Sequence, residues 1–574
     1  MATDFTVMAG GEAGQGVQSV GMILAGTLAH GGFHVFADQD YESRVRGGHN
    51  FFRIRAGDRP VLALSEELDI LVALNKETVD LHKDKLKSDG VIIHDKAQTG
   101  VTSGDGRYFD VPLEKIAADT VGNKLMVNTV AAGAAIGLAG YDLELLADVL
   151  GQEFARHGEK IAADNRTAAR AGYDFARKNG GRHSKRKTRP DDGIRRMLLT
   201  GNEALALGAM AAGCKFIAGY PMTPASSILE YMADRGREYG VVAVHVEDEI
   251  AAINMAVGAG FTGVRSMVAT SGGGFALMVE GLALAGMTET PVVVVLGQRP
   301  GPATGLPTRT EQGELWFALH AGHGEFPRAI LAPATVEDAF HATVTAFNLA
   351  EKYQTPVIVL TDHHLASSYA TVDAFDLTKV TIDRGDILSS TEAAKAAEYK
   401  RHAVTKSGIS PRALPGQGKA LVVTDSDEHD EAGHMIEDAA TRNKQNMKRL
   451  RKLDGMKRAV AAPEYHRARG AQLTLIGWGS TFGAIRETAA LLKKDGIPAD
   501  TLHIGQLWPF PAAAVTKVLD NVMKSVVIEG NATGQLAALI RRETGREVDG
   551  TLLRYDGRPF SPVEIVSRLK KEAL

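Results

Sequence analysis

Val241-Val-Ala-Val-His-Val246, then Glu247 and Asp248, then Glu249-Ile-Ala-Ala-Ile-Asn-Met-Ala256 is the stretch whose reading decides the fold. The first six residues are a continuous, mostly β-branched run suited to a parallel strand covered on both faces. The last eight open an apolar helix, with Ile250, Ala251, Ala252 and Ile253 early in it. A strand, an acidic turn and a helix make an α/β unit, and ligands in parallel α/β sheets sit in the crevice at the carboxyl ends of the strands. Glu249 is placed to project into that crevice. The competing reading is a first-turn acid favoured by the helix dipole, worth ~0.3–1 kcal/mol. Glu247 ranks second, because it shares a sheet face with Glu249 if the strand extends.

The same rhythm continues on both sides. Pro291-Val-Val-Val-Val-Leu296 and Pro356-Val-Ile-Val-Leu-Thr361 are further strands of this kind, which assigns an α/β domain to residues 194–375. Upstream, Phe5-Thr-Val-Met-Ala9 reads as a strand, Gly10-Gly-Glu-Ala-Gly-Gln-Gly16 as a tight turn and Val17 to His30 as a helix. His34–Ala37, Ile70–Leu74 and Gly90–His94 add strands, so residues 1–180 form another parallel-sheet domain. Residues 181–193 are basic, glycine-rich and without apolar period, the pattern of a solvated linker. Lys185, Arg186 and Lys187 give it a second reading as a docking patch for an acidic electron carrier.

Residues 376–466 change texture. Glu392 to Arg401 and Ile436 to Lys457 are highly charged and helical in pattern, an excursion that wraps another domain or subunit and has no core of its own. A third α/β unit, 467–574, runs from Leu473-Thr-Leu-Ile-Gly477 through Ser525-Val-Val-Ile-Glu529 to a C-terminal helix. The expected fold is therefore three parallel-sheet α/β domains.

Composition narrows the function classes. A net charge of −4 over 574 residues disfavours a general nucleic-acid or anionic-membrane binder. Cys214 is the single cysteine, whereas an iron-sulfur cluster usually takes four thiolates, so a chain that handles electrons needs the cluster on a partner. Cys214 itself reads as a small buried residue near a helix end. The first residues lack a signal-peptide pattern and no run of 18 uncharged apolar residues occurs, which points to the cytoplasm.

Four motifs carry chemistry in the middle domain. In Tyr220-Pro-Met-Thr-Pro224 two prolines fix the backbone on both sides of Thr223, so its hydroxyl serves as a precisely held ligand or caps the helix that follows. Arg299 comes just after strand 291–296; its planar fork can take a carboxylate with two hydrogen bonds, or form a surface salt bridge. Ser271-Gly-Gly-Gly274 precedes a helix, where its N–H groups meet a cofactor or simply permit close packing. Gly301 to Gly313 is a proline-glycine loop carrying Arg309. Two further stretches are set aside. Gly104-Asp-Gly106 follows no apolar strand and reads as a turn, and Asp425 to His434 lacks a closed metal-site pattern and reads as a solvated acidic loop.

Together these segments resemble the alpha subunit of the 2-oxoacid:ferredoxin oxidoreductases. The resemblance covers nearly the whole chain. It implies a thiamine pyrimidine-binding domain in the middle, with Glu249 touching the aminopyrimidine ring, Tyr220, Pro221, Ser271 and Gly272 lining the cofactor, and Thr223 and Arg299 meeting the 2-oxoacid. Met222 stands where isoleucine is commoner. The 301–313 loop matches the 2-oxoglutarate-like branch, which suggests Arg309 for a distal carboxylate. Residues 1–180, with Gly10–Gly16 and Tyr41-Glu-Ser-Arg-Val-Arg-Gly-Gly-His49, resemble a fused gamma subunit, where Arg44 and Arg46 contact substrate carboxylate or coenzyme A phosphate, or pair at a domain interface. Trp508-Pro-Phe-Pro511 and Glu529-Gly-Asn531 resemble the transketolase C-terminal domain. The implied enzyme is a dimer of alpha-beta heterodimers that converts a 2-oxoacid and coenzyme A to acyl-CoA and CO2 with reduction of ferredoxin, or runs in reverse. A beta subunit would hold the diphosphate, Mg²⁺ and a [4Fe-4S] cluster; this chain would bind no metal. Pyruvate, 2-oxoisovalerate or indolepyruvate specificity stays open beside 2-oxoglutarate, as does a non-catalytic regulatory subunit.

Overall fold

The computed structural model describes residues 4–43, 47–181, 183, 194–396 and 398–572. Arg44, Arg46 and most of the basic linker, including Lys185, Arg186 and Lys187, lie outside the described residues. The chain forms two compact units, Met1–Leu199 with Ser367–Phe375, and Thr200–Ala366 with Asp376–Leu574.

The first unit is built on an eight-stranded sheet. Asp4–Glu12, buried from Phe5 to Gly11, lies near its centre. On one side Leu68–Ala73, Leu86–His94 and Tyr108–Asp110 follow in parallel, as the strand and helix alternation requires. On the other side His49–Gly57, His34–Asp40 and Tyr369–Val372 are antiparallel, and Met197–Thr200 forms the edge beyond them. That half departs from the all-parallel expectation because residues 41–48 alone join two of its strands, too few for a crossover helix. Gly16, with φ 76°, turns the chain into helix Val17–His30, and a Cβ there would fall 1.8 Å from the amide nitrogen of Asn128. Gly104-Asp-Gly106 lies in a turn, where Asp105 accepts from the backbone N–H and the guanidinium of Arg107.

The second unit contains two sheets. Seven strands run in the order Gln506–Trp508, Ala329–Leu331, Pro356–Asp362, Val292–Gln298, Ser266–Thr270, Phe216–Gly219, Val242–His245, parallel except for the first. Five more, Glu464–His466, Ala499–His503, Leu473–Gly477, Ser525–Glu529 and Gly550–Leu553, are parallel except for Glu464–His466. One continuous core joins them, with Val268, Val294 and Ile358 packed in the same cluster as Ile476, Trp478 and Val527. Val242–His245 is an edge strand with Val242 57% exposed, where the sequence suggested a central one. An apolar run reports what a strand can be buried against and does not reveal which chain does the covering.

Segment 376–466 wraps the middle sheet through buried charge. Helix Ala439–Arg458 turns Gln445, Lys448, Arg449, Lys452 and Met456 inward. Lys448 Nζ lies 2.5 Å from Glu289 Oε1 and Lys452 Nζ 2.5 Å from Oε2, while His402 Nδ1 is 3.0 Å from Oε1. A second buried carboxylate, Glu351, gathers Arg412 at 3.0 Å, Arg265 at 3.7 Å and Arg384. Among the described residues, helical structure in the first charged stretch is confined to Ser390–Lys395, shorter than the 392–401 pattern suggested. The acidic stretch 425–434 is also less solvated than expected: Glu428 accepts from Arg449, and the ring of fully buried His429 lies 4.0 Å from that of His402. Among the described residues no helix is long and apolar enough to cross a membrane.

Candidate active site

The middle sheet presents the carboxyl ends of Phe216–Gly219, Ser266–Thr270 and Val292–Gln298 side by side. Asp248 caps the helix Glu249–Phe261, accepting from Ala251 N–H at 2.7 Å. With the cap supplied by Asp248, Glu249 is free to turn in. It is 4% exposed and its Oε1 is buried without a hydrogen-bond partner, a costly arrangement that protein interiors rarely tolerate without a ligand or a function. Glu247 is exposed, and the strand ends at His245, so the shared sheet face that recommended Glu247 does not form.

Three consecutive glycines receive four side chains. At Gly274 a Cβ would lie 2.6 Å from Glu249 Oε1 and 2.1 Å from Thr270 Oγ1; at Gly273 the nearest atom is Met222 Sδ at 3.9 Å; at Gly272 it is Glu314 Oε1 at 1.4 Å. The sequence left two uses open for this run, and here its bare backbone makes room for carboxyls. Ser271 caps the helix Gly272–Met287 without a side-chain bond, and its buried Oγ has no partner.

Thr223 precedes a cis proline, Pro224, whose carbonyl accepts from Asn202 Nδ2 at 2.7 Å. Arg299 Nη1 donates to the Thr223 carbonyl at 2.7 Å, so the proline-braced peptide and the arginine form one fixture. Burial holds Arg299 below the ordinary guanidinium range, opposed by nearby Glu314. Tyr220 is 41% exposed, with its ring 6.2 Å from that of His245, and Pro221 is exposed beside it.

Glu249, Met222, Thr223, Ser271, Gly272 and Arg299 therefore converge. Arg309 has its stem over Gly557 and Nη1 donating to Thr308 O at 3.2 Å, and both it and Arg299 lie near enough to buried His363 to add to the burial that lowers that imidazole to about 4. The Arg309 loop ties the two sheets of the unit: Gln312 N–H donates to Gly530 O at 2.6 Å and its side-chain amide to Trp478 O at 2.9 Å. Glu529 and Asn531 are spent on capping helix Gln535–Thr544. Cys214 is fully buried and its thiol is pushed up to about 12 by that burial. Sequence reasoning missed Asn202, Thr270 and Glu314. Of these only Glu314 carries a signal, a lone acid between Gly313 and an apolar helix.

A buried, unpartnered carboxyl oxygen in a glycine notch at the carboxyl edge of a parallel sheet fits the aminopyrimidine of thiamine diphosphate, which offers a polar ring nitrogen on a flat apolar body. The family model for pyruvate flavodoxin/ferredoxin oxidoreductase, thiamine diphosphate-binding, matches residues 207–449, which places that part of the second unit in the class of thiamine-diphosphate-binding α/β modules. Models for pyruvate ferredoxin/flavodoxin oxidoreductase and for pyruvate:ferredoxin oxidoreductase core domain II match residues 6–175 and 471–565. The 2-oxoacid:ferredoxin oxidoreductase subunit alpha of a Sulfolobus species is 34% identical over 98% of this chain and 96% of its own length. The 2-oxoglutarate synthase subunit KorA of Methanothermobacter thermautotrophicus is 33% identical over 65% of this chain and 98% of its own. Among solved structures, 2-oxoglutarate:ferredoxin oxidoreductase from Magnetococcus marinus, with 2-oxoglutarate, coenzyme A and succinyl-CoA bound, superposes with a TM-score of 0.91 at 33% identity, covering 99% of both chains. The chain belongs to the 2-oxoacid:ferredoxin oxidoreductase family, as an alpha subunit.

Proposed function

We propose that this alpha subunit serves a 2-oxoglutarate:ferredoxin oxidoreductase, in which 2-oxoglutarate and coenzyme A yield succinyl-CoA, CO2 and two electrons for ferredoxin, or the reverse. The observation that carries the reading is Glu249, buried with an unpartnered oxygen beside Gly274. When bound, thiamine diphosphate supplies the nucleophilic carbon and the electron sink for decarboxylation. Glu249 holds a proton against the pyrimidine ring nitrogen, with Ser271, Gly272, Tyr220 and Pro221 around the cofactor. Thr223 and Arg299 hold the keto-acid end. Substrate choice draws support from the Magnetococcus relative, which binds 2-oxoglutarate.

A beta partner carries the diphosphate, its Mg²⁺ and a [4Fe-4S] cluster, and two alpha-beta pairs assemble. In support, Ile250, Met255, Leu277 and Val242 are all at least 40% exposed on elements that frame the site, an apolar surface suited to a protein neighbour. Coenzyme A and ferredoxin as the proposed reactants support a cytoplasmic enzyme. In the first unit, Arg44 and Arg46 are assigned to an anionic group of substrate or coenzyme A. A cavity of about 480 Å³ lies in the same unit, lined by Glu12, Gly14, Gly16, Gln39, Tyr41 and Asn50 among others.

Two variants test the substrate reading in the co-expressed holoenzyme. Arg299→Ala should raise the KM for 2-oxoglutarate by about 10–100-fold, the scale of a lost charged bidentate contact; an unchanged KM removes Arg299 from substrate binding. Arg309→Ala should cut kcat/KM for 2-oxoglutarate about tenfold and leave pyruvate unaffected. Equal losses on both substrates would exclude a role for Arg309 in recognising the distal carboxylate.

A further inference from the structure

The crevice holds another carboxyl that the proposed mechanism leaves unused. Glu314 immediately precedes helix Leu315–His320, and its backbone N–H donates to Gln298 Oε1 at 3.0 Å, which pins it to the end of strand Val292–Gln298. The residue as a whole is half-buried, yet its carboxyl end turns inward. Oε2 is buried without a hydrogen-bond partner, and Oε1 fills the notch left by Gly272. Arg299 is close enough to lower the acidity range of this carboxyl, but among the described residues the two form no ion pair, and the guanidinium donates to Thr223 O instead.

We propose that Glu314 is a positioning residue for Arg299: as a neutral acid it leaves the guanidinium charge to the 2-oxoacid carboxylate, and as an anion it competes with that carboxylate. This rests on the reading of Arg299 as the substrate arginine. An ionised neighbour at that range would answer the guanidinium before substrate arrived, whereas a protonated one shapes the pocket and leaves the charge unspent. Burial, the largest influence, pushes Glu314 up to about 8, Arg299 opposes it and Glu311 adds to it. These two are the charged groups that face it. Helix Gly272–Met287 presents Gly272 there, strand Val292–Gln298 presents Gln298, and helix Gln535–Thr544 presents Gln535, whose amide donates to Gly313 O at 2.8 Å. Glu249 lies at the Gly274 notch, a separate position on the glycine turn.

The test is the pH dependence of KM for 2-oxoglutarate in the co-expressed holoenzyme at saturating coenzyme A. From about pH 7 to about pH 9.5 the parent KM should rise at least about fivefold while kcat changes far less, and Glu314→Gln should flatten the KM profile. A parent KM that stays flat overturns the proposal without any variant, and a rise that persists unchanged in Glu314→Gln overturns it as well. Glu314→Ser serves the same comparison if the glutamine variant fails to assemble. Failure of this proposal is separable from failure of the one beneath it: an unchanged KM in Arg299→Ala sinks the substrate arginine, whereas a raised KM there with a persistent alkaline rise in Glu314→Gln sinks only the role of Glu314.

Discussion

Glu249→Gln, in the holoenzyme assembled with its beta partner, should lower kcat by about 10²–10⁴-fold, the usual contribution of a positioned acid-base group. The substitution isolates chemistry from folding. Glutamine keeps the volume of the side chain in the notch at Gly274, and the helix retains its cap because Asp248 supplies it. An amide cannot give and take the proton that a carboxyl exchanges with a ring nitrogen, so the loss should fall on kcat, with the thermal midpoint unchanged. Glu247→Gln, two residues upstream, outside the helix and exposed, is the matched control and should behave as the parent does. If Glu249→Gln retains most of the parent kcat, Glu249 is not the group that activates the cofactor and the site must be rebuilt around another carboxyl.

The helix start at Glu249 was legible in the sequence because strand, cap and apolar helix follow one another within sixteen residues, but local order left open whether Glu249 meets a ligand or only the helix dipole, and the family resemblance alone favoured the ligand. Arg299 was a candidate because it stands directly after a buried strand, and Thr223 because two prolines brace it a few residues past another. Their bond to one another was not legible, since it joins residues 76 positions apart. Glu314 lay further out of reach. Its significance comes from the missing side chain at Gly272, and a sequence shows a glycine without showing what occupies the space it vacates. Strand His49–Gly57 did carry a signal, since Phe52-Arg-Ile-Arg-Ala56 alternates apolar and polar with Phe52, Ile54 and Ala56 buried, but the continuous apolar runs of the parallel strands drew the reading away from it and from the antiparallel half of its sheet. What fastens the charged excursion was not legible, because Lys448 and Lys452 face a carboxylate encoded about 160 residues earlier.

That carboxylate defines the largest expected effect on stability. Glu289 sits fully buried at φ 53°, and although burial pushes its carboxyl up, Lys448, Lys452 and His402 together outweigh burial and hold it well below the usual carboxylate range. Glu289→Gln should cost about 3–5 kcal/mol, the scale set when one partner of a buried ion pair is removed and the other charges are left without compensation. The loss should show as a lower unfolding midpoint together with proteolytic release of the 376–466 segment. The cluster has one carboxylate for two ammoniums, and the surplus has a sign. Burial and the neighbouring ammonium of Lys448 pull Lys452 down to about 7 against the attraction of Glu289. A base with a lowered folded value binds fewer protons than the unfolded chain between about pH 7 and about pH 10, so it penalises stability fully below that window and less as pH rises through it. Glu289 runs the opposite way, its contribution present above the unfolded carboxyl value near about 4.3 and lost only as pH falls through its depressed folded value. Lys452→Met should therefore match or exceed the parent midpoint at neutral pH and flatten its rise toward alkaline pH, while Glu289→Gln collapses. Equal damage from both substitutions would mean that packing, and not the charge balance at Glu289, fastens the excursion to the sheet.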